Sequence, residues 1–114
     1  MTISTHVLDA VNGVPAAGLA VTLERATPDE TGALPAVALA RSVTDDDGRI
    51  RDFGAGRLPE GGYRLVFATG PWFSAQSRAT FYPEIIVAFA YDGSGHVHVP
   101  VLLSPFSYTT YRGS

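Results

Sequence analysis

Three histidines, His6, His96 and His98, are the side chains of this 114-residue chain whose unperturbed titration falls near neutrality. A neutral imidazole is a base suited to neutral pH, contributing roughly a hundredfold or more when it meets a proton that moves in the rate-determining step. A second chemistry open to the three is metal ligation, because imidazoles two apart on a strand do bind zinc, although the third and fourth ligands of such a site are not evident. Arg49 directly follows the acidic run Asp45-Asp46-Asp47-Gly48, where an arginine ordinarily balances its acidic neighbours. The chain closes on Tyr111-Arg112-Gly113-Ser114. An aromatic and a cationic side chain beside the terminal carboxylate are unusual for a tail that merely frays.

The elements that carry these residues follow from alternation. Val97, Val99, Val101 and Leu103 form an unbroken apolar face, so His96, His98 and Pro100 point to the opposite side and neither histidine belongs to the core. Both then read equally well as solvated side chains or as members of a site on the outer surface. His6 alternates with Thr5 and Val7 in the run Ile3 to Leu8, and alone it fits a structural or surface histidine. Asn12-Gly13 supplies a tight turn after that first strand.

Leu19 to Glu24 is a second strand, Thr27 to Pro35 an exposed loop, and Ala38 to Thr44 a third strand. The Asp45 to Gly48 run is a turn, since Asp side chains bond nearby amides and Gly accepts the left-handed conformation. Arg49 is thereby placed at the mouth of a fourth strand. Tyr63 to Ala68, Glu84 to Tyr91, His96 to Leu103 and Ser107 to Arg112 supply four more, and Trp72 to Arg78 is the place for a short helix. Pro100 cannot donate to a ladder, which predicts a bulge or a gap in pairing there. Both alternate sets of Glu84 to Tyr91 are apolar, so its second face calls for cover by another subunit or by the short helix. Eight short strands and one helical turn make an all-β, antiparallel sandwich forming a single domain over residues 1–114.

Composition excludes several classes of function. The chain has no cysteine, hence no disulfide, thiolate metal site or thiol nucleophile, which suits a reducing compartment. Its net charge is −3, and its eight basic residues, all arginine, are scattered from Arg25 to Arg112. Nucleic acid is not an expected partner. Met1 to His6 has neither a charged start nor an apolar core, and no window approaches a membrane span. A cytoplasmic protein is the expectation.

Together the motifs Ser4-Thr5-His6-Val7-Leu8-Asp9, Asp47-Gly48-Arg49-Ile50, Tyr82-Pro83-Glu84-Ile85, His98-Val99-Pro100, Leu102-Leu103-Ser104-Pro105 and Tyr111-Arg112-Gly113-Ser114 resemble the transthyretin-like 5-hydroxyisourate hydrolases along almost the whole chain. Leu103-Ser104-Pro105 is shared with transthyretins in general, and the last four residues separate the hydrolases from the hormone carriers. Val97 stands where many relatives carry an aromatic residue. The resemblance implies the eight-stranded transthyretin sandwich and a homotetramer built as a dimer of dimers, with sites in the channel between dimers. It implies a small-molecule substrate, 5-hydroxyisourate, and neither metal nor other cofactor.

The implied reaction is hydrolysis to 2-oxo-4-hydroxy-4-carboxy-5-ureidoimidazoline. Without a cysteine, and with no serine in an evident Ser-His-acid setting, water is the nucleophile. The site residues so implied are His6, Arg49 and His98 for catalysis, and His6, Arg49, Tyr111, Arg112 and Ser114 for substrate binding. His98 is assigned as general base with His6 as its partner, and Arg49 stabilises developing negative charge. The alternative is a transthyretin-like carrier that binds a small aromatic ligand without reaction.

Overall fold

Two sheets face each other across a core drawn from alternate residues of nearly every strand. The computed structural model describes residues 2–26, 30–33 and 35–114. In chain order the elements are β1 (Ile3–Asp9), β2 (Val14–Pro15), β3 (Ala20–Ala26), β4 (Ala36–Val43), β5 (Arg49–Ile50), β6 (Gly61–Phe67), α1 (Thr69–Ser74), β7 (Ile85–Tyr91), β8 (Val97–Leu103) and β9 (Tyr108–Thr110). One sheet runs β2-β1-β8-β9, with β5 also paired to β1, and the other runs β4-β3-β6-β7. Part of the expected loop at residues 27–35, namely 27–29 and 34, lies outside the described residues.

The expected sandwich is present, and it departs from the sequence reading in three places. Val14–Pro15 is a ninth strand, a two-residue return of the hairpin that Asn12-Gly13 turns, pairing Val14 with Asp9 and Pro15 with Leu8. The β1–β8 ladder is parallel, running from Ile3↔Val97 to Asp9↔Leu103. Alternation reports which face a side chain takes and says nothing of strand direction, so two strands separated by seven intervening elements pair either way. Third, the helix spans Thr69–Ser74 rather than Trp72 to Arg78 and contains Gly70-Pro71. Proline is tolerated in a first helical turn, where its missing N–H has no partner in any case.

Val7, Val21, Leu23, Leu65, Phe67 and Phe73 have no exposed surface, and Val99, Val101 and Leu103 join them from β8. Each such aliphatic side chain contributes about 1.5–3 kcal/mol by leaving water. β7 keeps Ile85 and Tyr91 in the core, whereas Ile86 is 43% exposed and Ala88 and Ala90 are open. The helix therefore does not cover the second face of this strand. β7 and β9 end their respective sheets.

A partly buried ion pair ties the segment after the helix to the first hairpin. Asp9 accepts from Arg78 Nη1 at 2.7 Å and from the amides of Val11 and Asn12, each at 3.1 Å. The guanidinium also lies over the Phe73 ring, 4.9 Å from its centre. Burial pushes the Asp9 carboxyl up, but the Arg78 and backbone hydrogen bonds outweigh it and hold the group below its ordinary 3.8. Asp9→Asn is expected to lower unfolding free energy by about 2 kcal/mol in urea denaturation at pH 7. The difference from the parent should shrink as pH falls below about 4, since the parent's advantage is present above the unfolded carboxyl's pKa and is lost through the folded one.

Candidate functional site

The parity inferred for β8 holds. Val99, Val101 and Leu103 are buried, and His98 leaves from the other face, half-buried on the outside of the sheet. In the parallel ladder His98 lies opposite Ser4 and Pro100 opposite His6. That brings four side chains of β1 and β8 onto one outer surface, and β5 adds a fifth, because Arg49 pairs with His6 while Ile50 turns into the core.

The turn before Arg49 is built as its composition predicts. Asp45 Oδ1 accepts from the amides of Asp47 at 2.9 Å and Arg49 at 3.0 Å. Gly48 adopts φ +74°, and a Cβ there would overlap the Val7 carbonyl oxygen. Val7 in turn donates its N–H to the Gly48 carbonyl at 2.8 Å. A glycine is thus required by both conformation and space, and its close approach presses β5 onto β1.

His98, Arg49 and Ser114 line one open cavity of about 360 Å³, together with Ser4, Arg51 and His96. Ser4 Oγ lies 2.7 Å from His98 Nδ1 and 2.8 Å from His96 Nε2, and Thr2 Oγ1 bonds the remaining nitrogen of His96. Burial of the His98 ring, the Arg49 cation, and the neighbouring His96 and His6 all disfavour the imidazolium, so its pKa lies below the usual 6.5. The same surroundings favour the neutral form of the His98 imidazole. His6 is adjacent, but its Nε2 donates to the Asp47 carbonyl at 2.9 Å, and the ring is not among the cavity's walls. A carbonyl only accepts, so Nε2 of His6 carries the proton.

The tail is folded back onto the site. Gly113 donates its N–H to the His98 carbonyl at 2.9 Å, resuming the antiparallel register that pairs Val101 with Thr110. The two intervening positions on β8, Val99 and Pro100, are unpaired on this side, which is the gap that Pro100 predicts. Gly113 lies so close to the ring that a Cβ would sit 2.5 Å from His98 Cδ2 and 3.1 Å from Pro100 Cγ. Tyr111 and Arg112 line a different cavity, of about 340 Å³, between β7 and the β8–β9 pair; His98 borders both cavities.

Among the described residues no cluster of three or more His, Cys, Asp or Glu is arranged to hold a metal ion. His96 and His98 converge on the Ser4 hydroxyl. Ser4 itself was invisible as a site residue in the sequence, because its role depends on the register of β1 against β8. His96 carried a signal, its shared face with His98, that spacing alone could not separate from a solvated position.

Residues 3–113 match the HIUase/Transthyretin family. A 5-hydroxyisourate hydrolase from Caulobacter vibrioides is 41% identical, over 98% of this chain and 97% of that protein. The structure of Klebsiella pneumoniae 5-hydroxyisourate hydrolase matches with a TM-score of 0.84 at 38% identity, covering 100% of both chains. Sea bream transthyretin in complex with thyroxine also matches at 0.84, with 31% identity over 99% of this chain and 95% of that one. No described helix is long and apolar enough to cross a membrane. A match over nearly the whole sequence and the same sandwich in solved relatives lead to one conclusion: the chain belongs to the HIUase/transthyretin family.

Proposed function

We propose that this protein hydrolyses 5-hydroxyisourate, acting in the cytoplasm as one transthyretin-like domain in a homotetramer, a dimer of dimers. The observation that carries the reading is the His98 imidazole in one cavity with the Arg49 guanidinium, in a chain whose relatives are named for this activity. A site that only binds an apolar hormone needs neither group at its wall. The exposed Ile86, Ala88 and Ala90 of β7 and the free edges of β7 and β9 support assembly, since an apolar edge strand left open invites pairing with another chain.

In this reading His98 Nε2 takes a proton from water as the oxygen adds to the ring carbonyl. Arg49 holds the carbonyl oxygen as it becomes an oxyanion. The ring C–N bond then breaks, His98 returns the proton to the departing nitrogen, and the new acid ionises, giving 2-oxo-4-hydroxy-4-carboxy-5-ureidoimidazoline. His6, paired with Arg49 across β1 and β5, orients substrate from beside the cavity, with its Nδ1 free to accept. Tyr111 and Arg112 contact substrate or a neighbouring subunit across the channel, and Ser114 contacts substrate from the tail.

The test is decay of 5-hydroxyisourate generated from urate by urate oxidase, followed by ultraviolet absorbance. Acceleration well above the uncatalysed rate is expected; decay at the uncatalysed rate would remove the hydrolase reading and favour a carrier. Light scattering should give about four times the protomer mass. Within the same assay, Gly113→Ala is expected to lower kcat about tenfold, because the added methyl displaces the imidazole and misplacement of a reacting group by a fraction of an ångström is costly. Thermal unfolding should be little changed, as Gly113 lies outside the core.

A further inference from the structure

His98 serves as a base toward the cavity only when Nε2 is bare, and that requires its proton to reside on Nδ1. The Ser4 hydroxyl touches that Nδ1 and His96 Nε2 at once. It has one hydrogen and two lone pairs, so it donates to at most one imidazole, and a relay through it runs only if it accepts from the other. Two directions satisfy the chain. In the first, His98 Nδ1–H donates to Ser4, Ser4 donates to His96 Nε2, and His96 Nδ1–H donates to Thr2. In the second every bond is reversed and His98 presents Nε2–H to the cavity.

The field at the cavity separates the two. Arg49 lies on the same wall, and a guanidinium presents hydrogens alone. The reversed chain sets an N–H dipole against that cation, whereas the first offers it a lone pair. We propose that Ser4 and His96 are positioning residues for the hydrolysis: a hydrogen-bonded chain through the Ser4 hydroxyl holds His98 in its Nδ1–H form, with Nε2 free to take the proton from water.

The chain does more than fix a tautomer. As His98 becomes an imidazolium its Nδ1–H bond to Ser4 strengthens, and Ser4, donating onward to His96, is a better acceptor than a hydroxyl alone. This is the service that a carboxylate performs for a histidine in hydrolytic triads, here supplied without a charge. The charged and titratable groups facing His98 are His6 from β1, Arg49 from β5, Arg51 just beyond it and His96 just before β8, with Ser114 on the tail side and Tyr111 and Arg112 across the second cavity.

The catalytic role rests on the hydrolase reading, so the experiment has two arms. Nitrogen-15 NMR of the imidazoles at pH 7.5 is independent of activity. The parent should show His98 with Nδ1 protonated and Nε2 bare; Ser4→Ala should leave a mixture of tautomers. In the decay assay Ser4→Ala should lower kcat about tenfold and His96→Ala about threefold, with KM within about twofold of the parent and unfolding midpoints unchanged. His96 is exposed and Ser4→Ala removes one atom, so both variants should fold. An Nε2–H tautomer in the parent overturns the proposal, as does a Ser4→Ala protein with parent tautomer and parent kcat. A parent with the expected tautomer and no activity would instead overturn the hydrolase reading and, with it, the catalytic role of the chain.

Discussion

His98→Asn should lower kcat for 5-hydroxyisourate by about a hundredfold or more while leaving the unfolding midpoint and the assembly unchanged. Asparagine places an amide nitrogen close to the position of Nδ1, so the contact to Ser4 at 2.7 Å can persist. What it lacks is the second ring nitrogen, the one that takes the proton in the proposed reaction. The substitution therefore separates basicity from packing. The parent's pH–rate profile makes the same point from another direction. A base must be neutral to work, so rate is lost as pH falls through the His98 pKa. Burial and the Arg49 cation hold that value below 6.5, and the acid limb should have its midpoint below 6.5. A His98→Asn protein with parent kcat, or a profile with no acid limb, would show that the base lies elsewhere.

Arg49→Ala should cost about a hundredfold or more in kcat, the range seen when a donor to a developing oxyanion is removed. The side chain contributes nothing to the core, because its neighbour Ile50 makes that contact and the backbone of the turn is held by Asp45 and Gly48. Folding should therefore survive. The loss of a cation beside His98 carries a second consequence: the acid limb of the residual activity should move up toward 6.5, since one of the groups opposing imidazolium is gone. Lower kcat with an unmoved limb would mean that Arg49 acts on substrate without coupling to the base. Full activity would exclude it from the site.

Much of this site was legible in the chain because its determinants are local. The alternation of Val97, Val99, Val101 and Leu103 sends His98 outward whatever the rest of the protein does, since period two is a property of the strand backbone. Asp45 and Gly48 specify a turn within four residues, and Arg49 is delivered at its exit. Pro100 interrupts pairing through a missing donor of its own. The tail was the opposite case. Chemistry alone left Tyr111 to Ser114 as a possible frayed end, and only the family resemblance gave it a role; in the structure Gly113 bonds His98 and lies against its ring.

By itself, then, the sequence determined an all-β sandwich, the outward face of the histidines and the arginine-bearing turn. The tertiary structure decided which of these residues meet. Ser4 and His98 are 94 positions apart, and they touch because β1 and β8 run parallel in a register set by burying Val7 against Val101 in the same core. The same packing leaves His6 bonded to Asp47 rather than lining the His98 cavity, and sends Tyr111 and Arg112 to the other side of β8. A one-residue slip of that ladder would keep every local pattern and reverse the face. Register is a global minimum of core packing, and no short window of residues contains it.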